Sequence, residues 1–78
     1  MIKIEFEKNK NITIRQIKEV ASIFMRIIIN EELKPGDLYL ANIDNTVCLM
    51  KCNSIEEGLV YPVDIGPSCN IEKCYKIK

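Results

Sequence analysis

Apolar and charged residues alternate at the start of the chain: Ile2, Ile4 and Phe6 are separated by Lys3, Glu5 and Glu7. A period of two sends one row of side chains inward and the other to water, so residues 1–7 read as a β-strand. Asn9, Lys10 and Asn11 supply a polar turn, after which the period changes. Ile14, Ile17, Ala21, Phe24 and Ile28 fall within an arc of about 80° at helical spacing, with Arg15, Lys18, Glu19, Ser22, Arg26 and Asn30 opposite. This predicts one amphipathic helix over residues 13–30. Its start is doubly marked, by Thr13 and Gln16 at capping-box spacing and by Ile12 and Ile17 as a hydrophobic staple.

Val20, Ile23 and Ile27 widen the apolar arc of that helix to about 200°. One face of a small sheet does not bury both rows easily. These three residues are therefore the candidate interface, packing against a second copy around a two-fold axis or against a larger protein. The alternative is coverage by the chain itself, through a curved sheet or the connection at residues 31–33.

Lys34, Pro35, Gly36 and Asp37 form a turn signal, with proline at the second position and glycine at the third favouring type II geometry. Short segments rich in branched and aromatic residues follow at 38–41, 46–52, 59–62 or 63, and 71–77. Asp44 with Asn45, Glu57 with Gly58, and Gly66 with Pro67 punctuate them. The expectation is a single small α+β domain over residues 1–78: an N-terminal strand, one amphipathic helix, then a four-strand antiparallel meander. The polar Pro-Gly-Asp turn that opens a strand and a meander resembles the SH3-like small barrels. That resemblance implies a fold and no functional residue.

Seventy-eight residues bury too little surface to be robustly stable alone, so a disulfide, a metal or a partner is expected to help. The most apolar stretch, residues 20–29, is broken by Ser22 and Arg26 and is too short for a bilayer, so no membrane partner and a cytoplasmic location are expected. The abundance of isoleucine, lysine and asparagine suits an AT-rich coding genome, as in many bacteria and their phages.

Eleven basic and eleven acidic residues leave no net field to attract nucleic acid, yet the charge is segregated. Residues 1–30 hold six basic and three acidic side chains, residues 31–72 two and eight, and residues 73–78 three lysines. The basic and aromatic end formed by Lys73, Tyr75, Lys76 and Lys78 is the candidate for a nucleic-acid contact, with a lysine-protected edge strand as the competing explanation.

The absence of histidine removes the commonest general base near neutral pH and every Ser-His or Cys-His nucleophile. Gly36, Gly58 and Gly66 stand alone, with no phosphate-binding loop around them. No catalytic residue and no cofactor is assigned. Cys48 and Cys52, and Cys69 and Cys74, are not at zinc-knuckle spacing, and on a regular strand the first two stand about 13 Å apart. They read as thiols, with a zinc site or an occasional disulfide as alternatives. The resulting expectation is a non-enzymatic interaction protein, a homodimer that regulates or inhibits a larger protein, phage or mobile-element encoded; the alternative is a small-barrel nucleic-acid-binding module.

Overall fold

Alternation at the N-terminus does produce a strand in the computed structural model, β1 (Ile2–Glu5), which describes residues 2–8 and 11–78. Met1 of the expected first strand and Asn9 and Lys10 of the expected turn lie outside the described residues. The strand is shorter than residues 1–7 because Phe6 makes a last backbone hydrogen bond to Asn45 O (2.6 Å) and the chain then leaves the sheet.

The helix begins where its capping signals place it. In α1 (Ile14–Ile23) the Gln16 N–H donates to Thr13 Oγ1 (3.2 Å), and the Thr13 N–H donates back to Gln16 Oε1 (2.8 Å). Both contacts satisfy donors that the first turn otherwise leaves bare. The end differs from the expected helix over residues 13–30. Met25 takes the left-handed conformation (φ 57), the Met25 N–H donates to Ser22 O (2.9 Å) and the Arg26 N–H to Ala21 O (2.9 Å). That is a Schellman stop, with methionine where glycine is usual. Apolar periodicity alone does not reveal it.

After the stop, residues 27–29 run extended and antiparallel to the chain end. Ile27 exchanges backbone hydrogen bonds with Lys78 (3.2 and 2.9 Å), and the Ile29 N–H donates to Lys76 O (3.0 Å). Ile28 stands opposite Ile77 in a bridge. A β-branched triplet pairs more readily with a neighbouring strand than it extends a helix.

The predicted type II turn forms: the Asp37 N–H donates to Lys34 O (3.0 Å), and Gly36 takes φ 95, where an L side chain is strained. It opens β2 (Leu38–Ile43), followed by β3 (Thr46–Glu56), β4 (Leu59–Pro62), β5 (Cys69–Asn70), a 3-10 turn (Ile71–Lys73) and β6 (Cys74–Lys76). Glu57 and Gly58 both have positive φ (50 and 78), as a tight two-residue hairpin between β3 and β4 requires.

The described strands make a six-stranded antiparallel sheet in the order β5-β4-β3-β2-β6, with β1 also pairing β3. The chain is thus a mixed α+β fold, mostly sheet. Strand β3 is long enough to be shared: β2 lies on one side, and on the other β1 takes residues 46–49 while β4 takes residues 52–56. The β3–β4 register shifts between Cys52 and Ser54, a bulge that bends the strand between its two sets of partners.

The last meander strand, expected at residues 71–77, is corrected. Cys69 and Asn70 pair with β4, the 3-10 turn then redirects the chain, and Cys74–Lys76 returns beside β2. Because β5 and β6 sit at opposite ends of the strand order and share no ladder, the sheet is not closed.

Alternation along β2 and β3 feeds two cores. Leu40 and Val47 meet Ile17, Val20, Ala21 and Ile77 under the helix. On the opposite face, Tyr39 and Ala41 pack with Cys48, Met50, Cys52, Val60 and Cys69. Each fully buried large apolar side chain contributes about 1.5–3 kcal/mol relative to exposure, so a sheet covered on both faces offsets the small size of the chain.

Candidate functional site

The Schellman stop decides what the helix region presents. It ends α1 at Ile23, so the expected second apolar row divides between two elements. Val20 is 2% exposed and packed against the sheet, which removes it from the candidate interface: its own chain covers it. Ile23 is 65% exposed and Ile27 is 64% exposed, Ile27 standing on the extended segment and not on a helix. Between them Met25 projects at 92% exposure. Three large apolar side chains within five residues of chain is an unusual grouping for a surface that nothing covers.

Two hollows adjoin this segment and share Lys18 and Ile28 in their walls. One, of about 190 Å³, lies between Lys18, Ser22, Arg26 and Ile27. The other, of about 530 Å³, continues past Ile14, Asn30, Ile71 and Tyr75. Together they form a shallow groove between α1 and the extended segment, with an apolar floor, basic at the Lys18 and Arg26 end and acidic at Glu31 and Glu32.

The basic C-terminal end is divided by its own contacts. Lys76 Nζ lies 3.1 Å from Asp37 Oδ2 and 3.7 Å from Glu31 Oε1, donates to Glu32 O (3.4 Å), and leaves a side chain only 16% exposed. Tyr75 is half-buried against the helix-side core. Lys73 and Lys78 are exposed. The four residues proposed for a nucleic-acid contact therefore do not form one free basic surface. The Lys34 N–H donates to Asp37 Oδ2 (2.8 Å), and this bond, followed by that from Lys76, holds the Asp37 carboxyl below its ordinary value of 3.8.

All four cysteines, free as thiols, gather around Tyr39 on the sheet face away from the helix. Burial, and after it the neighbouring Cys74, Cys52, Cys69 and Cys48, raise the Tyr39 phenol. Its hydroxyl is enclosed and has no hydrogen-bond partner among the described residues. Burial likewise raises Cys48 and Cys52. The hydrogen bond between the Cys69 and Cys74 side chains holds the Cys69 thiol below its ordinary value and, together with burial, raises that of Cys74. The 3-10 turn between Cys69 and Cys74 brings these two side by side. Among the described residues no three potential ligands converge on a metal-sized site.

Met25 and the Asp37–Lys76 contact escape sequence reasoning, the first because a positive φ at methionine carries no compositional signal, the second because it links residues far apart in the chain. No helix among the described residues is long and apolar enough to cross a membrane. Comparison with protein-family models, with curated proteins and with solved structures finds no match to this chain.

Proposed function

We propose that this chain is a non-enzymatic protein-interaction module, a homodimer that regulates or inhibits a larger protein and is encoded by a phage or mobile element. The observation that carries the reading is the exposed apolar group Ile23, Met25 and Ile27 beside the open groove of α1. Leaving such side chains in water has a cost that association removes. The lack of histidine removes the commonest general base near neutral pH and so favours a role by contact. A bent β3 and a 3-10 turn joining β5 to β6 support reading the sheet as an opened SH3-like small barrel, a scaffold that serves many binding functions.

The nucleic-acid alternative rests on Lys73 and Lys78, and the ion pairs of Lys76 weigh against it. Sedimentation of the purified chain tests the preferred reading. Concentration-dependent association at tens of micromolar supports it, and a monomer throughout that range removes the homodimer. Oligonucleotide binding at low salt that weakens steeply as salt rises would transfer support to the alternative.

A further inference from the structure

Residues 26–30 form the outermost strand-like segment on the β6 side of the sheet. Ile27 and Ile29 direct their backbone hydrogen bonds inward, to Lys78 and Lys76. In antiparallel pairing the intervening residue points its N–H and C=O the other way, and both groups of Ile28 have no partner among the described residues. On its far side, Ile77 spends its N–H on Leu38 O (3.2 Å) in β2, so the sheet is continuous from β2 to this segment and open beyond it. The edge is short and carries one charge, Arg26, but no proline or lysine lies within it, and Ile27, Ile28 and Ile29 are all β-branched.

We propose that a second copy of this chain completes this edge, its residues 26–30 pairing antiparallel with the same residues here about a two-fold axis beside Ile28. The proposal rests on the association reading above and specifies its surface. Such an interface is isologous, so every contact occurs twice. The free N–H and C=O of Ile28 meet those of the other Ile28 as a hydrogen-bonded pair. Ile27 faces Ile29 of the other copy, which covers the exposed Ile27 side chain with an apolar partner.

Charge selects the second copy over other extended segments. Centring the pairing on Ile28 sets Arg26 opposite Asn30 of the other copy, and Glu32, just past the bend at Glu31, lines the same groove as Ile28 and Asn30. Neither Arg26 nor the Glu32 carboxylate has an ion-pair partner among the described residues. The basic end of one strand thus meets the acidic end of its mate, twice. Complementarity of this kind fixes register and orientation. The groove beside Lys18 and Ile28 leaves the approach open.

Hydrogen exchange and sedimentation of the full chain, with Arg26→Glu, Glu32→Arg and the double variant, test the pairing. The Ile28 amide is expected to exchange freely in dilute protein and to become protected as the dimer forms. Each single charge reversal should weaken dimerisation on the order of tenfold, because the like-charge contact occurs twice, and the double variant should restore it. A dimer with an Ile28 amide indifferent to concentration, or one that the double variant does not rescue, overturns the edge pairing and leaves the association reading standing. A chain monomeric at every concentration overturns the edge pairing together with the homodimer.

Discussion

Lys76 Nζ stands 3.1 Å from Asp37 Oδ2, tying the last strand to the turn that opens β2. The same carboxylate accepts the Lys34 N–H, so one side chain closes the turn and anchors the end of the chain. Both contacts favour the ionised form and lower the Asp37 carboxyl below 3.8. The folded state therefore binds this proton less readily than the unfolded state, and stability gained from the charge is complete above the ordinary value. It declines as pH falls through the lower folded-state value. Asp37→Asn should reduce the unfolding temperature near neutral pH, with the gap to the parent protein closing in acid. Parallel melts across that range check it, and a gap independent of pH would show that the charge contributes nothing.

Met25 holds a glycine position. Its φ of 57 is disfavoured for a side-chain-bearing residue, and its 92% exposure means that little packing is lost on removal. Met25→Gly is expected to raise stability by about 0.5–1 kcal/mol despite the freedom glycine adds to the unfolded chain. Met25→Val should lower it by a similar amount or more, since a branched side chain fits that conformation worst. Urea midpoints with an unchanged slope give the comparison.

Local chemistry was legible in the sequence, whereas long-range pairing was not. Thr13 with Gln16 marked the start of α1, and Pro35 with Gly36 marked the type II turn, because each depends on residues within four positions. The end of α1 was hidden because the triplet Ile27, Ile28 and Ile29 suits a helix stripe and a strand equally, and only pairing with residues 76–78 decides it. The same holds for residues 71–77, where a 3-10 turn moves the chain from β4 to β2. For the candidate surface, Ile23 and Ile27 were identified by their periodicity and proved exposed. Val20 carried the same signal and is buried, because the amount of sheet beneath a helix is a tertiary quantity.

Tyr39 offers a separate test of the thiol-lined core. It is fully buried, and its hydroxyl has no partner among the described residues. An enclosed unpaired hydroxyl costs about 1–3 kcal/mol of desolvation with no compensating bond. Tyr39→Phe should therefore leave the protein as stable as its parent or more so by about 1 kcal/mol. A lowered melting temperature would mean that the hydroxyl has a partner after all, one of the surrounding thiols being nearest to hand.

Val20 and Ile23 lie three residues apart on α1 and should respond oppositely to truncation. Val20 is buried in the same core as Leu40, Val47 and Ile77, so Val20→Ala removes buried methyl groups and leaves a cavity, at a cost of about 2 kcal/mol in unfolding free energy. Ile23 is 65% exposed, and Ile23→Ala should change that free energy by no more than about 0.5 kcal/mol. If the exposed group is an interface, Ile23→Ala should nevertheless weaken association while Val20→Ala acts through folding alone. Chemical denaturation well below the association range, paired with sedimentation above it, separates the two effects. Equal losses of stability would mean that Ile23 is covered by its own chain in solution, and the apolar surface on which association rests would shrink to Met25 and Ile27.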